Sequence, residues 1–155
     1  PEELLLRPPV LIPRPETEEL VDRIRNVYEQ EALLDRAGAG TRGPQRFVDL
    51  GSGSGAIAVA LLHCFPDASA VAVDPSPVAN ALTAENAERC GVRDRLEITR
   101  CTAGEWAAAA GAAEFDLIVS NPPYIPSAEL PGLQPEVRCF EDAAALDGGA
   151  DGPLV

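Results

Sequence analysis

The sequence predicts a doubly wound α/β fold built around a mostly parallel sheet. Short apolar runs alternate with helical patterns through the middle of the 155-residue chain. The first apolar run is followed directly by a glycine-rich turn that leads into one of the helical patterns. Strand–helix–strand alternation requires right-handed crossovers, and the ligands of such sheets lie at the carboxyl ends of the strands.

The N-terminal part of the chain is predicted to be an extended segment followed by a helix. Four prolines fall in the second half of residues 1–15 and restrict the backbone there, so we expect an extended segment. Apolar side chains then recur at helical spacing, which predicts an amphipathic helix over residues 17–36. A loop over 37–44 follows from its glycine content. We therefore divide the chain into an extended segment, 1–15, and an α/β domain, 16–155.

Four strands separated by helices are predicted after this loop. The strands are expected over residues 46–50, 70–73, 96–99 and 115–120, and the helices over 56–64 and 77–90, with a short helical turn over 106–110 and a short helix near 129–138. The fourth strand is apolar almost throughout, which is typical of the buried centre of a parallel sheet. The rest of the chain after it contains Pro and Gly repeatedly and is predicted to form loops.

The composition argues against several classes of protein. The chain is 46% hydrophobic and 24% charged, which is typical of a globular domain. Its net charge is −13, and residues 101–155 hold nine acidic residues against one arginine, so we expect no direct binding to nucleic acid. No apolar run approaches the ~18 residues of a membrane span, so no membrane partner is expected. A single histidine and four dispersed cysteines predict no metal site.

A glycine-rich loop follows the first predicted strand. Residues 49–55 read DLGSGSG, and glycines at alternate positions let the backbone approach a ligand closely before a helix begins. The free N–H groups at that helix N-terminus also favour a ligand. The pattern fits the dinucleotide fingerprint G-x-G-x-x-(G/A) as well, and a glycine turn without a ligand is a further interpretation. The candidate binding residues of this loop are Gly51, Ser52, Gly53, Ser54 and Gly55.

Two aspartates indicate the kind of ligand. Asp74 follows the second strand, 23 residues beyond Gly51, where its two oxygens can accept both hydroxyls of a ribose. Capping of the next helix is an alternative role for Asp74, and the two roles are compatible. The loop and Asp74 together predict an adenosine-type cofactor, either NAD or S-adenosyl-L-methionine. Asp49, directly before the loop, suits the ammonium and sulfonium of S-adenosyl-L-methionine and would repel a pyrophosphate.

A polar turn follows the fourth predicted strand. Residues 120–124 read SNPPY, and two consecutive prolines make a stiff turn without N–H donors of their own. The side-chain oxygen of Asn121 and the carbonyl of Pro122 can therefore accept both hydrogens of an incoming NH₂ group. Tyr124 offers a flat face for stacking on a planar amide or base. A structural turn with an ordinary Asn cap is the alternative interpretation.

These motifs resemble those of the class I S-adenosylmethionine-dependent methyltransferases, which have a Rossmann-like fold, and most closely those of the HemK/PrmC-like release factor glutamine methyltransferases. The similarity covers about residues 8–152 and lies in four stretches, 10–18 (VLIPRPETE), 49–55, 120–124 and 133–149. The SNPPY turn is also similar to that of amino-methylating DNA and RNA enzymes. The resemblance implies methyl transfer from S-adenosyl-L-methionine to the side-chain amide nitrogen (N5) of a glutamine in a peptide-chain release factor.

The resemblance also implies roles for individual residues. The cofactor would be held by Asp49, the glycine loop, Asp74, Trp106 and Asn121. The substrate glutamine would be held by Asn121, Pro122, Pro123 and Tyr124. Arg14 and Glu16 would shape the substrate side of the site, with a purely structural pairing as the alternative. Without the resemblance, Trp106 would be interpreted as a partly buried core residue.

The resemblance further implies that part of the fold lies outside this sequence. The family has a seven-stranded sheet, of which four strands are recognised here, so the last three would follow Val155 and leave the fourth strand as an exposed edge. The chain also lacks Met and begins at Pro1, so we expect a piece of a longer or processed product. A composition rich in Gly and Ala, without Lys, favours a mitochondrial location over a bacterial-type cytoplasmic one.

Three other functions stay open from the sequence. The first is a DNA or RNA amino-methyltransferase that uses the same turn, although the acidic final third counts against it. The second is a truncated form that binds the cofactor weakly or not at all and does not turn over. An NAD-linked dehydrogenase is a more distant third.

Overall fold

A computed structural model describes residues 3–34, 43–110, 115–150 and 152. The strands in these residues are β1 (Arg46–Leu50), β2 (Ser69–Val73), β3 (Leu96–Thr99) and β4 (Leu117–Ser120). The α-helices are α1 (Pro15–Leu34), α2 (Ala56–Cys64), α3 (Pro77–Arg89), α4 (Ala103–Ala110) and α5 (Pro135–Phe140). Single 3-10 turns lie at Arg93–Arg95, Leu130–Gly132 and Ala143–Ala145. The predicted loop over 37–44 lies, except for its last two residues, outside the described residues.

The strands form one parallel sheet in the order β3-β2-β1-β4. Leu50, at the end of β1, pairs with Val73 of β2 on one side and with Ser120 of β4 on the other. The direction of winding therefore reverses between β1 and β4, which is where such sheets bind their ligands. This arrangement confirms the predicted doubly wound α/β fold. It also brings the glycine loop, Asp74 and the polar turn to one end of the sheet.

The two faces of the sheet are covered by different parts of the chain. Phe47 of β1 is fully buried in the main core together with Leu61 and Leu62 of α2. The neighbouring residue Val48 belongs to a smaller cluster, against which Trp106 and other partly buried side chains pack. Successive residues of a strand point to opposite faces, so β1 is buried on both sides. The glycine loop thus extends from a strand whose three central residues are buried.

The N-terminal segment packs on the domain. Leu4 contacts the main core, and Leu5 contacts a separate cluster that contains Val10 and Leu82. The backbone N–H of Leu5 donates to Asn86 Oδ1 at 2.7 Å, and Asn86 Nδ2 donates back to the Leu5 carbonyl at 3.0 Å. These contacts hold the segment against α3.

The bounds of two helical regions differ from the prediction. Helix α1 begins at Pro15 and not at residue 17, because proline fits the first turn of a helix, where its missing N–H is not needed. The single helix predicted near 129–138 is instead a 3-10 turn followed by the separate helix α5. Pro135 occupies the first position of α5 and sets its start.

Helix α4 is longer than the predicted turn at 106–110 because a capping box begins it at Ala103. Thr102 Oγ1 accepts a hydrogen bond from the Glu105 N–H at 3.2 Å, and Glu105 Oε2 accepts one from the Thr102 N–H at 2.9 Å. The Glu105 carboxylate also accepts the Thr102 hydroxyl at 2.8 Å, and the hydrogen bonds it receives from the Thr102 N–H and hydroxyl lower its pKa. The structure therefore gives Glu105 a local role at the helix start.

Strand β4 is an edge strand of the described sheet, as the resemblance implies, and not the buried centre that its apolar pattern alone predicts. It pairs with β1 alone, so only Val119 is buried and Ile118 is 63% exposed. The strand also begins at residue 117 and not at 115. The Phe115 ring packs edge-on against Trp106. The Asp116 carboxylate accepts a hydrogen bond of 2.9 Å from the backbone N–H of Arg46.

The described residues contain neither a membrane-spanning helix nor a cluster of metal ligands. None of their helices is both long and apolar enough to span a membrane. None of their His, Cys, Asp and Glu side chains cluster in threes or more in a way that could hold a metal ion.

Candidate active site

Glycines hold the loop between β1 and α2 in a left-handed conformation. The φ angle is +75° at Gly51, +56° at Gly53 and +78° at Gly55. At Gly55 a Cβ atom would lie 2.9 Å from Cγ2 of Thr83, so neither the backbone angle nor the space suits a side chain. The Gly51 N–H donates to the Val73 carbonyl at 2.8 Å, which ties the loop to the end of β2.

Two fully buried polar side chains of α3 support this loop. Thr83 Oγ1 donates to the Gly53 carbonyl at 3.0 Å, and Asn86 Nδ2 donates to the Ser54 carbonyl at 2.9 Å. Asn86 also binds the backbone of Leu5, so one side chain joins the loop to the N-terminal segment. Buried backbone carbonyls that the loop cannot pair by itself are satisfied in this way.

Asp74, at the end of β2, lies against the loop and is 8% exposed. Its Oδ2 accepts the Gly53 N–H and its Oδ1 accepts the Ser76 N–H, each at 2.9 Å. Each carboxylate oxygen has a further lone pair, so these bonds leave capacity for ligand hydroxyls. The residue that caps α3 is Ser76, whose hydroxyl accepts the Ala79 N–H at 3.3 Å.

Asp49, in β1, is fully buried. Its Oδ2 accepts the Ala58 N–H in the first turn of α2 at 3.1 Å, whereas its Oδ1 has no hydrogen-bond partner among the described residues. Burial raises the pKa of the Asp49 carboxyl from 3.8 to about 7; the Ala58 N–H opposes this rise and the Asp74 carboxylate adds to it. A positive group nearby would stabilise the ionised form of Asp49.

A cavity of about 220 Å³ opens at this end of the sheet. The glycine loop and Asp74 form part of its wall. The N-terminal segment contributes Val10, the first turn of α1 contributes Thr17, and the stretch after α5 contributes Asp142. The cavity therefore lies where the fold predicts a ligand.

A second cavity, of about 160 Å³, shares part of its wall with the first. Asn121, directly after β4, lines both cavities, and Pro122 and Tyr124 line the second. Within the described part of the chain, no hydrogen bond engages the side-chain amide of Asn121. The amide oxygen and the NH₂ group of Asn121 are therefore available to a ligand.

An ion pair joins the N-terminal segment to the stretch after α5. Arg14 Nη2 donates to both carboxylate oxygens of Glu141, at 2.7 and 2.9 Å. Next to it, the Asp142 N–H donates to the Pro9 carbonyl at 2.8 Å. Arg14 lines the second cavity, while Pro9 and Asp142 line the first. The same two segments thus enclose both cavities.

Most of the predicted cofactor residues come together at the first cavity. These are Gly51, Ser52, Gly53, Ser54, Asp74 and Asn121. Gly55 and Asp49 belong to the same loop region but do not line the cavity. Trp106 lies elsewhere: it packs on the Val48 cluster and edge-on against Phe115, with ring centroids 5.3 Å apart. The structure therefore does not bring Trp106 to the predicted cofactor site.

The predicted substrate residues divide between the two cavities. Pro122, Tyr124 and Arg14 line the second, and Pro123 lines the first. Glu16 is exposed in the first turn of α1 and lines neither. For Arg14 the ion pair with Glu141 is present as well, so the structural and the substrate-side interpretations are compatible.

Sequence reasoning did not identify several residues of the site individually. Thr17, Glu141 and Asp142 lie inside the stretches 10–18 and 133–149 that carry the resemblance, but their spacing does not tell which side chains turn inward. Asn86 lies in a helix that periodicity predicts well. An Asn at a buried helix position was the available signal, because a buried amide requires partners.

The sheet order, the glycine loop after β1 and the polar turn after β4 together define an α/β domain of the class I methyltransferase type. Residues 32–133 match the model of the methyltransferase small domain family. The chain belongs to this family, whose model spans more than half of its length.

Named relatives are similar along nearly the whole chain. The release factor glutamine methyltransferase of Gloeobacter violaceus is 45% identical over 150 residues, which are 97% of this chain and 48% of that protein. The human MTRF1L release factor glutamine methyltransferase is 43% identical over 152 residues, 96% of this chain and 44% of that protein. The chain spans just under half the length of these relatives.

Solved structures share the fold. The N-terminal domain of human METTL16, in complex with SAH, has a TM-score of 0.56 at 17% identity, covering 82% of this chain and 46% of that one. An S-adenosylmethionine-dependent methyltransferase from Agrobacterium tumefaciens has a TM-score of 0.57 at 19% identity, covering 74% of this chain and 34% of that one. Both comparisons confirm the predicted fold class.

Proposed function

We propose that this chain carries the catalytic part of an enzyme that methylates the side-chain amide nitrogen (N5) of a glutamine in a peptide-chain release factor, with S-adenosyl-L-methionine as methyl donor. Membership of the methyltransferase small domain family supports methyl transfer, and the names of the relatives support this substrate. The observation that carries the proposal is that Asn121 lines two adjoining cavities. A cofactor in one cavity and an acceptor amide in the other would meet at this residue.

The groups around the first cavity fit S-adenosyl-L-methionine. Asp74 has lone pairs left for ribose hydroxyls, and it lines the cavity. Asp49 Oδ1 and Ser52 Oγ are buried without a hydrogen-bond partner in the described part of the chain, which suits a polar, cationic ligand close to the loop. Asp49 would repel the pyrophosphate of NAD. When bound, the cofactor supplies a methyl group that its own sulfonium charge activates.

The groups around the second cavity suit an uncharged amide on an aliphatic chain. Most of its wall is apolar, and its polar residues are Arg14, Asn121 and Tyr124. An amide nitrogen is a poor nucleophile because its lone pair is delocalised. By accepting both of its hydrogens, Asn121 Oδ1 and the Pro122 carbonyl return electron density to the nitrogen and fix its direction. In-line transfer would then depend mainly on position. The N–CH₃ bond would form as the S–CH₃ bond breaks and S-adenosylhomocysteine leaves, and one of the two amide hydrogens would then pass to water as a proton. The methylated, cationic nitrogen gives up this proton readily, so no strong general base is needed.

A transfer assay tests this function. The chain is incubated with methyl-labelled S-adenosylmethionine and a purified release factor, and mass spectrometry of the digested product should locate the label on a glutamine side chain. A release factor in which that glutamine is replaced by alanine is the matched control and should stay unlabelled. Label on DNA or RNA, with none on the release factor, would instead favour the nucleic-acid amino-methyltransferase. Binding of the cofactor without any transfer would favour the inactive form.

We also propose that a protein is the only macromolecular partner, with no direct contact to nucleic acid or membrane, and that the chain acts in mitochondria. The acidic charge of residues 101–155 supports the first point, because phosphate backbones repel it. The composition supports the second over a bacterial-type cytoplasmic location. Fractionation of eukaryotic cells that express the tagged protein tests the location: recovery in the cytosolic fraction would refute it.

A further inference from the structure

The guanidinium of Arg14 is held in a fixed orientation by Glu141. Both Glu141 oxygens accept hydrogen bonds from the same nitrogen, Nη2, and the Glu141 side chain is only 2% exposed. The Arg14 side chain is 35% exposed and lines the second cavity. A charge-assisted contact of this kind to a buried carboxylate restricts how the guanidinium can turn.

This contact leaves most of the guanidinium donors unused. A guanidinium has five N–H groups, of which Nη1 and Nε carry three. These three have no protein partner among the described residues, since the hydrogen bonds of the Arg14 side chain all come from Nη2. Arg14, which carries these unused donors, lines the largely apolar second cavity together with Asn121 and Pro122.

We propose that Arg14 is an acceptor-binding residue, which donates from Nη1 and Nε to a main-chain carbonyl oxygen of the polypeptide that carries the acceptor glutamine, with Glu141 as its positioning residue. This inference rests on the proposed function. Asn121 and Pro122 accept hydrogens from the glutamine side chain, whereas Arg14 supplies donors to the backbone around it. The cavity would thus recognise the glutamine as part of a polypeptide.

Titration calorimetry with a glutamine-containing release-factor peptide tests the inference, using the chain saturated with S-adenosylhomocysteine. Arg14→Ala should weaken peptide binding by about tenfold or more, because hydrogen bonds from a charged donor are lost. Arg14→Lys and Glu141→Gln should weaken peptide binding by less. The lysine keeps the positive charge, and Glu141→Gln keeps the guanidinium donors of Arg14. The affinity of each variant for S-adenosylhomocysteine should stay within about twofold of that of the wild type. A variant that merely disrupted the wall shared by the two cavities would lose this affinity as well.

The chain offers a matched control in Arg7. It lies in the same N-terminal segment and pairs with Glu85 at 2.7 Å, but it lines neither cavity. Arg7→Ala should leave both affinities unchanged. Unchanged peptide binding in Arg14→Ala would overturn this inference but not the proposed function. The same holds if the Arg14 and Glu141 variants lost affinity for the peptide and for S-adenosylhomocysteine equally. A wild-type chain that binds S-adenosylhomocysteine but no peptide would instead refute the proposed acceptor.

Discussion

The carboxylate of Asp49 and the backbone N–H of Ala58 are joined by a hydrogen bond of 3.1 Å, so that β1 is tied to the first turn of α2 across the glycine loop. Gly55, the N-cap residue of α2, has no side chain that could accept this N–H. A buried carboxylate from the preceding strand takes that role, and the helix dipole favours its negative charge. The same residue retains one oxygen without a partner in the described part of the chain, beside the predicted cofactor.

Burial of Asp49 predicts a pH-dependent stability. Its pKa is about 7 in the fold and takes its ordinary value of 3.8 when exposed, so between these values the folded chain keeps a proton that the unfolded chain releases. The contribution of Asp49 to the free energy of unfolding is therefore lost as the pH rises from about 4 to about 7. We therefore expect the free energy of unfolding of Asp49→Asn, relative to that of wild type, to increase by on the order of 2–4 kcal/mol across this range, as measured by urea unfolding.

The matched control for this prediction is Asp67→Asn, because Asp67 is exposed in the loop after α2. Its free energy of unfolding provides the baseline for removing an exposed carboxylate at each pH. If the difference between Asp49→Asn and wild type stayed constant with pH, the raised pKa assigned to the buried carboxyl would be wrong.

Gly55→Ala should destabilise the fold more than a change at another left-handed glycine. Gly91 has a similar φ, +67°, but has open space where a Cβ would lie, so Gly91→Ala should cost only about 1 kcal/mol of backbone strain. At Gly55 the new Cβ also meets Thr83, and we expect about 3 kcal/mol or more. Equal free energies of unfolding for the two variants would show that α3 yields to the new methyl group.

Asn86→Ala should reduce the free energy of unfolding by about 2–4 kcal/mol. The change removes the partner of the Leu5 N–H and of the Leu5 and Ser54 carbonyls, in a fully buried position. Asn26, exposed in α1, is the control, and Asn26→Ala should stay within about 0.5 kcal/mol of wild type. A loss of similar size at both positions would argue against the anchoring role of Asn86.

Asp74→Ala should weaken the binding of S-adenosylhomocysteine by roughly 1.5–3 kcal/mol, if two hydrogen bonds to a charged acceptor are lost. Because Asp74 also accepts the N–H groups of Gly53 and Ser76, part of this loss can come from a looser loop. A truncated ligand that lacks the ribose hydroxyls separates the two effects. This ligand should lose clearly less affinity in the variant than S-adenosylhomocysteine does; an equal loss of affinity for both ligands would assign Asp74 to the loop alone.

The sequence was sufficient for elements that local patterns determine. The predicted bounds of β1, α2 and β3 match the structure, because apolar runs there end at glycine or polar residues. The start of α4 was missed although Thr102 and Glu105 form a recognisable capping box. The apolar pattern of β4 did not indicate its edge position, which only the resemblance implied, because an apolar strand looks the same at a centre and at an edge of a sheet.

The site was only partly predictable for a related reason. The glycine loop and the SNPPY turn lie at strand ends, and the fold brings strand ends together. The pairing of Arg14 with Glu141 spans 127 residues and joins two irregular segments, so no periodicity indicates it. Trp106 packs as a partly buried core aromatic against a cluster that includes Val73, and its role at the cofactor stays a prediction.

The most direct test of the account is the methyl-transfer rate of Asn121→Ala, measured together with its affinity for S-adenosylhomocysteine. We expect transfer to the release factor to fall by roughly 100-fold or more, because the acceptor amide loses the group that directs it. The affinity for S-adenosylhomocysteine should stay within a few-fold of wild type, since the glycine loop and Asp74 are intact. A variant that still transfers methyl groups at a rate close to wild type would contradict the role of Asn121 between the two cavities.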